Sequence, residues 1–366
     1  MTVTPRTTKL GPDQAALRDV MRRVAQAESA DAPILSVYVD VRPDAHGERP
    51  AERPEIAAVH HRIRAIQSTL GGAHTAARQS LDADSRRIEA TLEGEDLSGI
   101  DGLAVFACSR IGLWEEVRSP EPFQTQVAAG QTADLFQLAK LLDDSVSGVV
   151  AIVDTNTCRL FVTRRGTLEE RPGPDEPPDE HRRHDEGGWS QARYQRHIDM
   201  QDKRFAKEAA DAIDRLVDVE RARHVILAGH ERAMPVLEGE LSERVRPLVQ
   251  QVIHLPMRAS ADDVRDEVLP ILAAIEDSEA RDVGDRAIAG WLAGDLGVVG
   301  IKETKTALEM GQVDQLVIDE TAGPRDDARA ELTRLAALTG ANVEIVRDHA
   351  GLAQHEGVAA TLRFRI

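Results

Sequence analysis

Short runs of apolar residues alternate along this chain with longer segments whose apolar residues recur at helical spacing. The clearest runs lie at 34–41, 103–108, 148–153, 224–228 and 313–319. Runs of roughly four to eight apolar residues bounded by polar turns indicate buried strands, and their alternation with helices is typical of α/β proteins. The sequence therefore predicts an α/β fold, in which short steps from strand to helix give a partly parallel sheet in the middle of the chain.

Breaks in this pattern divide the chain into three predicted domains. Its 366 residues are enough for two or three domains of roughly 150 residues each. We predict a mixed α/β N-terminal domain at 1–142, a middle domain at 143–256 and an α-β-α layered C-terminal domain at 257–366. The middle domain opens with a predicted β-hairpin around the polar turn 154–157, and in the C-terminal domain Gly311 is expected to end a helix.

Three places carry sharper expectations about local structure. Residues 164–186 contain several prolines and many charges without apolar periodicity, which predicts a surface excursion without regular structure. Pro270 is expected to kink or break the helix predicted over 260–280. Gly284 is expected to mark the end of a helix.

The composition restricts the function classes that suit this chain. The formal net charge of −18 argues against a protein that coats nucleic acid non-specifically, so any contact with nucleic acid must be local. The two cysteines, Cys108 and Cys158, lie in apolar runs, which favours buried reduced thiols over a disulfide or metal ligands. The N-terminus lacks an apolar signal core, and no run approaches the ~20 apolar residues of a membrane span. We expect a soluble, cytoplasmic protein with no membrane partner.

The stretch 185–197 carries the strongest functional signal. Two adjacent glycines, Gly187 and Gly188, follow a charged, proline-containing segment, and a helix is predicted to start almost at once, near Gln191. On a helical projection, its apolar residues fall on one side and its basic residues on the other. The basic residues are Arg193, Arg196, Lys203 and Lys207. The pattern suits either a device that enters a polyanionic cleft or a solvated loop leading into an ordinary amphipathic helix.

Several features together resemble a known family. They are the order of the domains, the Gly-Gly loop before a basic helix, and the motif Gly-Gln-Val-Asp-Gln-Leu-Val-Ile-Asp-Glu at 311–320. The chain resembles the archaeo-eukaryotic class-one release factors and Pelota, and most closely their bacterial relatives, the bacterial archaeo-eukaryotic release factor group. The resemblance covers most of the chain and is strongest from Gly148 to the C-terminus. It implies a release factor-like middle domain whose Gly-Gly loop projects from the sheet.

The resemblance also implies which residues form the site. Class-one release factors carry Gly-Gly-Gln at the tip of this loop, and their glutamine helps water cleave peptidyl-tRNA. An ungapped match places that glutamine on Trp189, which is a departure from the family pattern. Some eukaryotic relatives show Gly-x-x-Gln followed by an arginine, and Gly188, Gln191 and Arg193 fit that version. Gln191 is therefore the predicted catalytic residue, and Gly187 and Gly188 supply backbone freedom.

The chemistry of a glutamine limits what such a site can do. Its amide does not titrate near neutral pH, so it cannot act as a general base. The expected role is to orient a water and to donate a hydrogen bond to the developing oxyanion. Ribosomal and tRNA groups would hold the ester, and no cofactor is expected. Trp189 and the four basic residues of the helix are then predicted to contact rRNA and tRNA.

Absent motifs leave the function open between alternatives. Residues 1–142 contain neither the Asn-Ile-Lys-Ser motif nor the Tyr-x-Cys-x-x-x-Phe motif with which eukaryotic release factors recognise stop codons. The first hypothesis is codon-independent hydrolysis of peptidyl-tRNA on stalled ribosomes. The second is a non-catalytic hibernation factor that occupies the A site, because the relative Balon lacks the catalytic tripeptide. A translational GTPase is a candidate delivering partner under either, and a scaffold independent of RNA is a third interpretation.

Other candidate sites are weaker. His181, His184 and His197 match no spacing typical of metal ligands, and no metal site is predicted. Asp154, Asp319 and Glu320 lie where strands end, a location typical of nuclease carboxylates. They fall in different predicted domains, which favours turn and capping roles.

Overall fold

A computed structural model of the chain describes most of its residues. Described are 6–10, 14–43, 53–69, 76–94, 97–143, 147–164, 167–174, 190–324 and 326–365, with the backbone alone at Ser147 and at 190–199. The chain divides into two compact units, residues 1–144 with 279–366 and residues 145–278.

The N-terminal part of the first unit is a five-stranded sheet with helices on both faces. Its elements are β1 (Arg6–Lys9), α1 (Gln14–Ala25), β2 (Ile34–Asp40), α2 (Pro54–Thr69), α3 (Ala76–Gly94), β3 (Gly102–Cys108), β4 (Leu113–Ser119), β5 (Gln126–Gly130) and α4 (Phe136–Asp143). The strand order is β1-β4-β3-β2-β5, and only β1 and β4 are parallel. Along β2, Leu35 and Val37 pack against α2 and α3, whereas Ile34 and Tyr38 pack on the face covered by α1 and α4. Burial on both faces explains why this strand is a continuous apolar run.

The second unit is built on a mixed five-stranded sheet. Its elements are β6 (Ser147–Val153), β7 (Cys158–Arg164), β8 (Thr167–Arg171), α5 (Ser190–Glu220), β9 (His224–Gly229), α6 (Met234–Glu240), β10 (Val249–Ile253) and the first part of α7 (Ala261–Leu292). The strand order is β10-β9-β6-β7-β8. β10, β9 and β6 are parallel, whereas β6, β7 and β8 form antiparallel hairpins. The predicted hairpin and the partly parallel sheet are both confirmed.

The C-terminal part of the first unit is a four-stranded sheet between two helical layers. Its elements are the end of α7, β11 (Gly297–Val299), α8 (Ile301–Glu309), β12 (Val313–Asp319), α9 (Asp326–Thr339), β13 (Asn342–Val346), α10 (Ala350–Ala353) and β14 (Val358–Leu362). The strand order is β11-β14-β12-β13, with β12 and β13 parallel. α8 and α9 cover one face, and Val283 and Ala287 of α7 pack with Val317 and Ala359 on the other. The α-β-α layering follows the prediction.

The two sheets of the first unit are joined by direct packing. Phe136 of α4 is part of the apolar core that contains Leu316 of β12 and Leu332 of α9. The backbone N–H of Ile345 in β13 donates to Asp143 Oδ2 at 2.9 Å. The N-terminal and C-terminal sheets therefore form one compact body.

Three local expectations are wrong, each for a physical reason. Within 164–186, Thr167–Arg171 forms the edge strand β8, which pairs antiparallel with β7. An edge strand needs little apolar burial, and four of its five residues are polar, so the sequence lacks the apolar run that indicates a buried strand. The helix is not broken at Pro270, because α7 continues to Leu292 and Val268 and Leu272 are buried in an apolar core that offsets the lost hydrogen bond. Gly284 lies inside α7 because the His349 ring packs against it: a Cβ there would lie 2.9 Å from His349 Nε2.

Both cysteines are free and buried, as predicted, and burial raises the pKa of Cys158 to about 12. Among the helices in the described ranges, none is long and apolar enough to cross a membrane.

Candidate functional site

Helix α5 carries most of the predicted site residues. Its apolar face packs on the sheet of the second unit through Phe205, Ala209, Ile213 and Val217, all buried. This confirms the face expected from the helical period. At 1.5 Å per residue the helix of 31 residues is about 46 Å long. Phe205 is the first of its described side chains to be buried, and Met200, five residues earlier, is 66% exposed.

Basic side chains follow one another on α5 just before and after Phe205. Lys203, Arg204 and Lys207 are all exposed. Lys203 Nζ lies 3.5 Å from Glu240 Oε1, and Arg204 Nε lies 3.7 Å from Glu208 Oε1. Ion pairs this exposed contribute about 0–1 kcal/mol, so these cations can exchange their partners for a polyanion at little cost. Arg204 is a basic residue of this face beyond the four predicted ones, and its place between Lys203 and Lys207 is the sequence signal for it.

The far end of α5 is fixed by ion pairs. Glu220 is nearly buried and pairs with Arg164 of β7, and Arg171 Nε of β8 lies 4.0 Å from the same carboxylate. Two arginines from the hairpin thus hold the last turn of the helix.

A second set of contacts holds α5 one to two turns earlier. Ser242 Oγ donates to Asp214 Oδ1 at 2.6 Å, and Arg244 Nη2 lies 3.1 Å from Asp214 Oδ2. These bonds lower the pKa of Asp214 below its ordinary value. The carboxylate therefore stays ionised, and the C-terminal half of α5 is anchored to the body of the unit.

The structure describes the other predicted site residues only in part. Gly187, Gly188 and Trp189 lie outside the described residues, as do His181 and His184. Gln191 is the second residue of α5, and Arg193 and Arg196 follow in its first two turns. Lys203 and Lys207 lie one turn apart on the exposed side.

Two of the three strand-end carboxylates lie at the end of β12: Asp319 is its last residue, and Glu320 begins the turn that follows. Asp319 is fully buried, and its Oδ1 accepts hydrogen bonds from the backbone N–H groups of Thr321 and Ala322 at 2.8 and 2.9 Å. Its Oδ2 accepts the backbone N–H of His349 at 2.8 Å. With every carboxylate oxygen used by the backbone, Asp319 has the predicted turn role.

Glu320, the next residue, pairs outward with two cations. Lys140 Nζ lies 2.5 Å from its Oε1 and Arg347 Nε 2.9 Å from its Oε2. Burial raises the pKa of Glu320, but the hydrogen bonds from Lys140 and Arg347 outweigh burial, and the net pKa is lowered. The third carboxylate, Asp154, accepts the backbone N–H of Thr155 in the turn between β6 and β7.

In the ranges that the structure describes, no cluster of three or more histidine, cysteine, aspartate or glutamate side chains is arranged to hold a metal ion. The side chain of His197, a weak metal candidate, is not described.

A family comparison matches the middle of the chain. The profile of the bacterial archaeo-eukaryotic release factor family 10 matches residues 134–273, which include Gly187, Gly188 and the whole of α5. The match confirms the predicted resemblance over this segment, which is release factor-like. No curated protein matches the chain.

Solved structures of translation factors are also similar to the chain, at low scores. The archaeal translation termination factor aRF1 has 18% identity and a TM-score of 0.28, covering 97% of this chain and 99% of its own. Dom34 of S. cerevisiae, described as a translation termination-like factor interacting with Hbs1, has 13% identity and a TM-score of 0.45, covering 72% and 80%. Archaeal Pelota, in a model of its ribosome-bound form with ABCE1, has 14% identity and a TM-score of 0.44, covering 99% and 96%. At these scores the similarity establishes neither function nor site.

Proposed function

We propose that this chain, which is release factor-like over residues 134–273, hydrolyses peptidyl-tRNA on stalled ribosomes independently of the codon. The observation that carries the proposal is the family match over the segment with the Gly188-Trp-Ser-Gln191 spacing. Support also comes from α5, which begins at Ser190 and is exposed and basic at Lys203, Arg204 and Lys207.

Gln191 has the central chemical role in this proposal. Its amide orients a water toward the ester carbon of peptidyl-tRNA and donates a hydrogen bond to the oxyanion that develops in the transition state. Removing one donor of this kind from a preorganised site costs roughly 10²- to 10³-fold in rate. The ribosome holds the ester in place, so the chain is a complete enzyme only when it is bound there.

A second candidate function is favoured by Trp189, which stands where an ungapped match places the family's glutamine. An indole at that position can stack on an RNA base and fill the A site without chemistry. In this alternative the chain is a hibernation factor, and Gln191 is simply an early residue of α5.

Both candidates require the same partners. We propose rRNA and tRNA as the direct contacts of Trp189, Arg193, Arg196, Lys203 and Lys207, and a translational GTPase as the delivering partner. The support for these partners is the family resemblance and the exposed cations of α5.

Peptide release from ribosomes with peptidyl-tRNA in the P site and an empty A site distinguishes the two functions. We expect wild type to release peptide and Gln191→Ala to release it about 10²-fold or more slowly while still binding ribosomes. Gln195→Ala, four residues further along the same helix, is the matched control and should keep its activity. Ribosome binding without release by any of these proteins would reject hydrolysis and support A-site occupancy.

Binding to ribosomes tests the RNA-facing role of α5 separately. We expect Lys203→Glu with Lys207→Glu to weaken co-sedimentation and to flatten its dependence on salt, because fewer counterions are released. Arg215→Glu is a control for a single charge reversal elsewhere on an exposed position of α5. Unchanged binding by the double variant at every salt concentration would favour a scaffold independent of RNA.

A further inference from the structure

The first unit contains a groove of about 250 Å³ where its two sheets are joined. We call it the α4–α9 groove. Its lining comes from residues 121–124 before β5, from Gln126 at the start of β5, from α4, and from Glu320 and Arg329 of the C-terminal part. Both halves of the first unit are needed to form it, and none of the predicted catalytic or RNA-binding residues lies in it.

Arg329 gives the groove a flat cationic surface. Its guanidinium carbon lies 4.0 Å from the centroid of the Phe136 ring, so one face of the guanidinium stacks on the ring. Nη2 donates to Asp326 Oδ1 at 2.8 Å, whereas Nε is buried without a hydrogen-bond partner. Arg329 lines the groove, so the face of the guanidinium opposite the Phe136 ring is the one that a ligand in the groove can contact.

Glutamine amides stand beside this surface in fixed positions. Gln137 accepts the backbone N–H of Gln124 at 2.8 Å and donates to its carbonyl oxygen at 2.9 Å. The Gln137 amide also donates to Gln126 Oε1 at 3.1 Å, and Gln126 Nε2 donates to Asp134 Oδ2 at 3.4 Å. Each amide has capacity beyond these bonds, so Gln126 can offer both a donor and an acceptor to a ligand in the groove.

The charges of the groove limit the charge of what it can hold. Lys140 and Arg347 share the single carboxylate of Glu320, which leaves one positive charge in excess on that side. On the other side the charge of Arg329 is offset by Asp326, and Glu121 in the lining and Asp134 behind Gln126 would oppose a highly charged anion. The groove is thus suited to one phosphate rather than to a triphosphate.

We propose that the α4–α9 groove binds a single nucleotide unit with one phosphate. Its base stacks on Arg329, the amide of Gln126 contacts the edge of the base, and Lys140 contacts the phosphate. Stacking of unpaired bases on guanidinium planes and aromatic rings, with amides at the base edge, is a recurrent mode of nucleotide recognition. A free nucleoside monophosphate and an unpaired nucleotide of RNA both supply this chemistry.

Binding of the four ribonucleoside 5′-monophosphates to the full chain tests the site, by calorimetry and by saturation-transfer NMR. We expect at least one of them to bind, and Arg329→Lys, which keeps the charge but loses the flat surface, to bind about tenfold more weakly or worse. Arg363→Lys makes the same substitution at an exposed arginine of the same unit, away from the groove, and should bind like wild type. Gln126→Ala provides a second test if Arg329→Lys does not fold.

Binding of other ligands shows whether the groove takes free nucleotides or RNA, and whether charge alone explains the binding. A nucleoside triphosphate should bind no more tightly than its monophosphate, and inorganic phosphate should bind more weakly than either. Tighter binding of a short single-stranded oligoribonucleotide than of its monomer, weakened by Arg329→Lys but not by Lys203→Glu with Lys207→Glu, identifies RNA as the source. Equal or weaker binding of the oligonucleotide identifies the free nucleotide. Absence of binding by all monophosphates and by the oligonucleotide overturns the proposal. Binding that Arg329→Lys and Gln126→Ala both leave unchanged overturns it as well.

Discussion

Asp319 is the residue whose replacement most directly tests how the C-terminal sheet is held together. Its buried carboxylate accepts three backbone hydrogen bonds, two from the turn after β12 and one from His349. His349 in turn caps α10, because its Nδ1 accepts the backbone N–H of Leu352 at 3.2 Å. The His349 ring also packs against Gly284 of α7. One carboxylate therefore links the end of β12 to the turn that positions α10 against α7.

The expected cost follows from counting the donors that each substitution leaves unpaired. In Asp319→Asn the amide oxygen can replace Oδ1 and keep two bonds, but the amide nitrogen then faces the N–H of His349. One unpaired buried donor costs about 1–3 kcal/mol. Asp319→Ala leaves all three donors unpaired, and we expect a loss of about 3 kcal/mol or more. At roughly 2–4 °C per kcal/mol, Asp319→Asn should lower the Tm of this unit by about 2–12 °C.

Thermal unfolding and amide hydrogen exchange of the full chain measure these effects. Exchange at Thr321, Ala322 and His349 should accelerate in both variants, and more strongly in Asp319→Ala. Asp314→Asn is the matched control on the same strand, because Asp314 is 55% exposed and pairs only at 3.4 Å with Arg363. The control should lose no more than about 0.5 kcal/mol. If Asp319→Asn were as stable as Asp314→Asn, the structural role assigned to Asp319 would be refuted.

Three further predictions concern other parts of the chain. The pKa of Glu320 is lowered in the folded state. The carboxylate of Glu320 therefore stabilises the fold above the ordinary pKa of 4.5, and this stabilisation is lost as the pH falls through the lowered pKa. In Tm measurements at several pH values, Glu320→Gln should lose less stability in acid than wild type does. Gly229 has φ +141°, and a Cβ there would lie 2.0 Å from the carbonyl oxygen of Val153, so Gly229→Ala should lower the Tm of the second unit or prevent its folding. Cys158 should react with a thiol reagent only under unfolding conditions, because burial raises its pKa to about 12; reaction in the native protein would contradict its burial.

The strands most readily recognised in the sequence are interior strands of their sheets. β2, β3, β6, β9 and β12 are each an apolar run that needs no tertiary information to be recognised. The strands that were not predicted, β1, β5, β8 and β11, are all at sheet edges, whereas the edge strands β10 and β13 coincide with strands predicted at 251–255 and 342–346. β1, β5 and β8 each have at most one buried residue and β11 is three residues long, so these sequences resemble loops until a partner strand is known.

The positions of Pro270 and Gly284 inside a helix could not be predicted from the neighbouring sequence, because the contacts that accommodate them involve residues far away in the chain. Pro270 and Gly284 are helix-breaking residues by propensity. Each is accommodated inside α7 by contacts that sequence alone does not reveal. For Gly284 the contact is the ring of His349, which is itself fixed by Asp319 and Leu352. A helix interior was thus read as a helix end because the residue that requires the glycine lies 65 positions further along the chain.

The same reasoning explains why one candidate site was visible in the sequence and the other was not. The loop and helix at 187–207 are continuous, so glycine flexibility, helical period and basic charge appear in one stretch of chain and can be compared with a family motif. The α4–α9 groove combines Gln126 and Phe136 with Glu320 and Arg329, which are separated by almost 200 residues. Its chemistry exists only once the N-terminal and C-terminal sheets pack together. The second unit, residues 145–278, is inserted between the two halves of the first unit, which can therefore form a site of its own away from the motif at 187–191.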